Sequence, residues 1–260
     1  ETNWRMRPDI SPDGSRMVYS SYQGRGYHQL WLLPVEGGYP FPLTYGEFDN
    51  VNPRWSPDGG RIAFISNREG NTTLWTVDAL EGKQEKIQPA EFKFLKPHQL
   101  LRLQFRDEAG KVIPARISIT DLSGKFCAPV NSWIQADDAL YPGQHRFEYH
   151  YFYSNGNTEV YVPMERLLIS ASHGPETEIS KLNVDASKIM NQTSVVTIKS
   201  FPVPADYGKW QSADLHVHMN YGGNYLNNPD NLLKQASAEN LNYVFNWTTF
   251  NFNQTFNTPY

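Results

Sequence analysis

Two stretches decide how this chain is read: "SPDGSRMVYSS" at residues 11–21 and "SPDGGRIAFIS" at residues 56–66. Ser11 and Ser56 lie 45 residues apart, and each opens a Ser-Pro-Asp-Gly run. Proline presets φ at the first corner of a turn, and glycine accepts positive φ at its end, so both runs read as tight turns. Apolar and polar residues then alternate, the pattern of a half-buried strand. The copies stay in step downstream. "QLWLLPV" (29–35) and "TLWTVDA" (73–79) supply the next strand of each, with Trp31 and Trp75 44 residues apart.

A period of about 45 residues divided among four short strands is that of a β-propeller blade. The order Ser-Pro-Asp-Gly, apolar strand, Leu-Trp, then Gly37-Gly38 and Leu43-Thr44 resembles the TolB-like propeller repeat over about residues 7–83. The tryptophans and tyrosines here read as packing between blades, and no catalytic constellation is visible among them. A closed propeller takes about four to eight blades, so two would leave open sheet edges. The sequence is therefore expected to be an internal segment of a longer protein.

Residues 84–96, "QEKIQPAEFKFLK", read as a linker with one strand. From Gln99 onward, alternating segments separated by turn signals predict a β-sandwich: "QLLRLQFRD", "VIPARISITD", "HRFEYHYFY", "NTEVYVPM", "RLLISASHG" and "VVTIKSF". The phrase "RDEAGKVIPARISITDLSGK" (106–125) resembles the carboxypeptidase-regulatory-like sandwich, which implies a spacer or a binding platform. His145 and His150 differ by five, so an extended strand points them to opposite faces, and they read as structural or surface residues. Asp137 and Asp138 read as a solvated turn. Cys127, the one cysteine, reads as a small buried hydrophobe.

The chemistry lies in "SADLHVHMNYGG", residues 212–223. Period-2 alternation places Asp214, His216 and His218 on one strand face and Ala213, Leu215 and Val217 on the other. Two imidazoles about 7 Å apart on one face can bracket a metal ion. Neutral imidazole suits zinc, with manganese or iron as alternatives, and Asp214 can ligate or orient a ligand. "NPDNLLKQASAEN" then predicts a helix, with Asn228 as N-cap, Pro229 in the first turn and Asp230 at the positive end. "LNYVFNW" predicts a second strand. The sum is a βαβ unit, whose chemistry sits where strands run into loops at their C-terminal ends.

"DLHVHMNYGG", followed by a helix begun with proline, resembles the first unit of the CehA/McbA-type metallohydrolases, relatives of the PHP and amidohydrolase-like barrels. The resemblance covers about residues 210–250. It implies metal-dependent hydrolysis of an ester, amide, carbamate or phosphoester in a small-molecule substrate. Asp214, His216 and His218 match the first-strand metal motif, Asp214 also as a catalytic residue, and Tyr221, Gly222 and Gly223 fall in the loop above. The sequence departs from the PHP pattern at the end of the second strand, where Asn246 and Trp247 stand in place of an Asp-His pair. No histidine or cysteine follows His218, so further ligands are expected beyond Tyr260.

The expected fold is mainly β: two propeller blades (1–83), a sandwich (84–205) and the first βαβ unit of an incomplete (β/α) barrel (206–260). By itself the 260-residue piece is expected to be catalytically silent and poorly stable, since one βαβ unit cannot cover both faces of its sheet. Net charge is −4 with both signs scattered, so nucleic acid is not an implied partner. No apolar run approaches the roughly 18 residues that cross a bilayer. Modules of these kinds point to the periplasm or the exterior by analogy, with protein or glycan contact through the β-domains. The alternative function is a non-catalytic binding or scaffold protein.

Overall fold

A computed structural model describes residues 7–22, 26–137, 149–189, 192–202, 204–217, 225–246, 250–251 and 254–255. Packing divides the chain into two compact units. One holds the repeats as far as Phe92, and the other holds residues 93–217 and 228–246.

Each repeat folds into a four-stranded antiparallel sheet in sequence order. The first comprises β1 (Asp9–Ile10), β2 (Arg16–Ser21), β3 (Gln29–Pro34) and β4 (Phe41–Pro42). The second comprises β5 (Asn50–Trp55), β6 (Arg61–Glu69), β7 (Asn71–Asp78) and β8 (Gln84–Ile87). The Ser-Pro-Asp-Gly turns are built alike. Ser11 Oγ donates to Asp13 Oδ1 (2.6 Å) and accepts from Arg16 N (2.9 Å). Ser56 Oγ donates to Asp58 Oδ1 (2.5 Å) and accepts from Arg61 N (2.9 Å). Gly14 and Gly59 sit at φ +72° and +71°, a region that costs side-chain-bearing residues energy and glycine almost nothing. These bonds hold Asp13's carboxyl down at about 2, the Ser11 hydroxyl contributing most, and lower Asp58 for the same reason. Val18, Leu30, Leu32, Ile62, Phe64 and Val77 form one core contributed by both sheets.

The second unit contains two further sheets. One runs β12 (Gln135–Asp137), β13 (Tyr149–Ser154), β10 (Ala115–Asp121), β15 (Arg166–Ser172), β16 (Ser180–Asp185), with β11 (Phe126–Cys127) also on β10. The other runs β14 (Asn157–Pro163), β9 (His98–Arg106), β17 (Thr193–Thr197), the last pair parallel. Alternation drives the assembly: Leu101, Leu103 and Phe105 of β9 meet Ile117, Ile119, Phe152, Leu167 and Ile169 across a shared core. Beside this sandwich, β18 (Ala213–Val217), α1 (Pro229–Ala238) and β19 (Tyr243–Asn246) form the βαβ unit, with β18 and β19 parallel. Asn228 caps α1 by accepting from Asn231 N (2.9 Å), and Pro229 starts it.

Three sequence expectations need correction. Strand β8 pairs with β7, so "QEKI" is the fourth strand of the second blade and not linker, and that blade passes residue 83. Asp137 ends strand β12, opposite Tyr149, where a turn was expected; Asp138 lies outside the described residues. Strand β16 was not anticipated, because "SKLNVD" carries charge and buries one residue only, Val184.

Candidate functional site

The start of β18 is clasped to the start of β19. Ser212 Oγ donates to the carbonyl of Asn240, and Ser212 N donates to Asn242 Oδ1 (3.0 Å). In return Asn242 N donates to Ser212 O (2.9 Å). Asn240 takes φ +49°, a conformation asparagine tolerates better than most residues, and this turns the chain out of α1 into β19.

From that clasp the two strands pair Ala213 with Tyr243 and Asp214 with Val244, then Val217 with Asn246. Three steps on β18 thus face two on β19, a bulge within the DLHV segment. Bulges re-aim side chains and are over-represented beside active sites. Strict alternation, which assigned Asp214 and His216 to one face, does not run unbroken through it. Instead His216 N donates to Asp214 Oδ1 (3.0 Å), tying carboxylate and histidine together locally. Both residues are exposed, Asp214 near the start of the strand and His216 one residue from its C-terminal end. His218 lies outside the described residues, as do Tyr221, Gly222, Gly223 and Trp247. Leu215, Tyr243 and Phe245 are 63%, 56% and 53% exposed, unusual for a parallel pair, whose faces are normally both covered.

Imidazole and carboxylate are donor types that fit zinc, manganese or iron. A closed site takes three or four such donors, and among the described residues no group of three or more His, Cys, Asp or Glu comes together. The described residues by themselves do not assemble such a site.

Other residues that draw attention in the sequence have structural settings. His150 lies on β13 with its ring 5.6 Å from that of Phe126; His145 is outside the described residues. Cys127 is half-buried, and burial pushes its thiol up, away from thiolate reactivity. Two groups were missed. In the blades, buried Gln29, Thr44 and Asn50 bond one another: Thr44 Oγ1 donates to Gln29 Oε1 (2.9 Å), and Asn50 Nδ2 donates to both (3.1 Å each). In the second unit, Tyr153, Arg116 and Glu239 meet. The latter contact joins residues 86 apart, so no local spacing announces it.

No protein-family model matches the chain. It is 33% identical over 96 residues to the uncharacterised peptidase YuxL of Bacillus subtilis, covering 35% of this chain and 15% of that protein. It is 28% identical over 76 residues to the Tol-Pal system protein TolB of Xanthomonas oryzae, covering 28% of this chain and 17% of TolB. The chain thus spans only a small part of the length of these curated relatives. A solved structure of TolB from Acinetobacter baumannii is similar at 15% identity and a TM-score of 0.30, over 74% of this chain and 42% of that one. The repeated turn geometry, the two four-stranded sheets and the sequence similarity to TolB agree: the first two sheets are TolB-like propeller blades.

Proposed function

We propose that the chain belongs to a metal-dependent hydrolase of the CehA/McbA type. In this reading residues 1–83, with β8 completing the second blade, are accessory propeller repeats. The sandwich follows β8 and extends to residue 205, and 206–260 carry the first βαβ unit of the hydrolase barrel. The observation that carries the reading is the pair Asp214 and His216. They are exposed on the first strand of a parallel βαβ unit and bonded through His216 N–H, and His216 lies one residue from the strand's C-terminal end, the end at which such folds place their chemistry. His218 would add the second imidazole.

A divalent metal held there, zinc first and manganese or iron as alternatives, would supply an activated water and polarise the scissile carbonyl or phosphoryl oxygen of an ester, amide or phosphoester. The chain's own share is narrower. His216 offers a ring nitrogen. Asp214, its Oδ1 engaged by the backbone, keeps Oδ2 for a ligand or for orienting one. Export to the periplasm or the exterior belongs to this proposal, as does a small-molecule substrate.

The test is the zinc, manganese and iron content of the longer protein expected to carry this segment, against a His216→Ala/His218→Ala variant. Bound metal should drop at least about tenfold in the variant. Equal content in both proteins refutes the assignment.

One observation favours a second reading, a non-catalytic binding or scaffold protein that contacts protein or glycan through its β-domains. On the outer face of the β14–β9 pair, Phe94 (45% exposed) stacks on His98 at 3.8 Å beside Tyr161 (50% exposed). Amphipathic aromatic surfaces of this kind serve recognition. Unchanged metal content would leave this reading standing.

A further inference from the structure

Glu239, the residue at the C-terminal end of α1, is held at several points by the sandwich. Its Oε1 accepts from the Tyr153 hydroxyl on β13 (2.9 Å) and lies 3.7 Å from Arg116 Nη1 on β10. Arg116 is itself fixed, its guanidinium stacked 3.6 Å from the centroid of the Tyr151 ring. The backbone of Glu239 lies against Gly174, in the loop after β15: a Cβ there would fall 2.2 Å from the Glu239 carbonyl oxygen. Only glycine admits that approach.

The next residues carry the hold onward. Glu239 N donates to Gln235 O (2.9 Å), closing the helix. Asn240 then turns back and accepts from Ser212 Oγ, and Asn242 clasps the Ser212 backbone in both directions. Ser212 is the residue before β18. An uninterrupted path of hydrogen bonds and covalent bonds therefore runs from the sheet of the sandwich, through Glu239, to the strand that carries Asp214 and His216. The chemistry of the Tyr153 group argues for holding and not for catalysis. A largely buried phenol that donates to a carboxylate keeps its proton, and burial with the Glu239 charge pushes its ionisation far up.

We propose that Glu239 is a positioning residue through which the sandwich fixes α1 and the β18–β19 pair, so that sandwich and βαβ unit open as one cooperative body and not as two modules on a linker. This inference does not rest on the metal reading, because no ligand enters it.

Hydrogen exchange followed by mass spectrometry on the full 260-residue chain tests it. In the unaltered protein, peptides spanning 213–217 and 243–246 should exchange with the protection of β10 and β13. Glu239→Ala should speed exchange of those two peptides by about tenfold or more, leaving β9 and β14 unchanged, since losing charge-assisted hydrogen bonds at one point opens the attached segment locally. Glu239→Gln, which can still accept from Tyr153, should recover most of the protection. Tyr153→Phe, which preserves packing, should act in the same direction as Glu239→Ala and covers the case in which that variant does not fold. Rapid exchange of 213–217 in the unaltered chain overturns the proposal. So does unchanged protection of that segment in both Glu239→Ala and Tyr153→Phe, or equal loss of protection throughout the sandwich in Tyr153→Phe.

Discussion

Gly174 and Gly208 both take positive φ, +78° and +73°, in different surroundings. Around Gly174 an added Cβ meets the backbone of Glu239, while around Gly208 it meets nothing within 4 Å. Gly208, at ψ −154°, lies in a region essentially reserved for glycine, so Gly208→Ala should cost that backbone strain alone, about 2 kcal/mol. Gly174→Ala adds a backbone collision that must be relieved by moving α1, and should cost about 3 kcal/mol in urea denaturation followed by circular dichroism. Equal costs would show that the close approach is not real. Tyr153 gives a pH test at the same scale. Its folded-state ionisation lies above its ordinary value of 10.0, so its contribution is fully present below that pH and is lost as pH rises past it. Ultraviolet titration of phenolate absorbance should show one tyrosine ionising only with unfolding of its unit, and Tyr153→Phe should remove that late step.

At the scale of elements, the blades are held by polar as much as apolar groups. The imidazole of His28, buried beneath the Tyr22 ring at 3.8 Å with Ser20 Oγ 3.4 Å from Nδ1, is pushed down by burial, partly offset by the Asp49 carboxylate. A depressed folded-state value means stability present above the ordinary 6.5 and lost as pH falls below it. Lowering pH from about 7 to about 5 should lower the melting temperature of the blade unit, and His28→Gln should flatten that slope. Arg68, at the far end of β6, stacks over Trp75 at 4.1 Å and Phe48 at 4.5 Å, and donates to Gln84 Oε1 (2.6 Å) and Asn50 Oδ1 (3.2 Å). It ties the hairpin end of β6 to β5 and β8. Arg68→Met keeps the stem but loses these bonds, and should destabilise the blade unit by about 2 kcal/mol in the same denaturation experiment.

At the scale of the molecule, two compact units with separate cores should give two calorimetric transitions, the one containing the sandwich also carrying α1 and β19. A single transition coincident by all probes would contradict this. Much of the architecture was legible in the residues. The doubled Ser-Pro-Asp-Gly turn, the alternation behind it and the Asn228-Pro229 start of α1 each encode a local conformation, and local conformation follows from φ preferences and near-neighbour bonds. The place of β8 was not legible, because "QEKI" is polar and finds its role only by pairing with β7. The bulge in β18 escaped for a related reason: alternation assumes a regular ladder, and the irregularity exists only against β19. Asp214 and His216 stand out in the sequence because residues two apart announce themselves, whereas Glu239, Tyr153, Arg116 and Gly174 are scattered over four segments. By itself the sequence determined the repeated turns, the alternation of the blade and sandwich strands and the start of α1, all properties of a few consecutive residues. Only the tertiary structure decided which sheet holds the βαβ unit in place, because that depends on side chains brought together by the fold over separations no local pattern records.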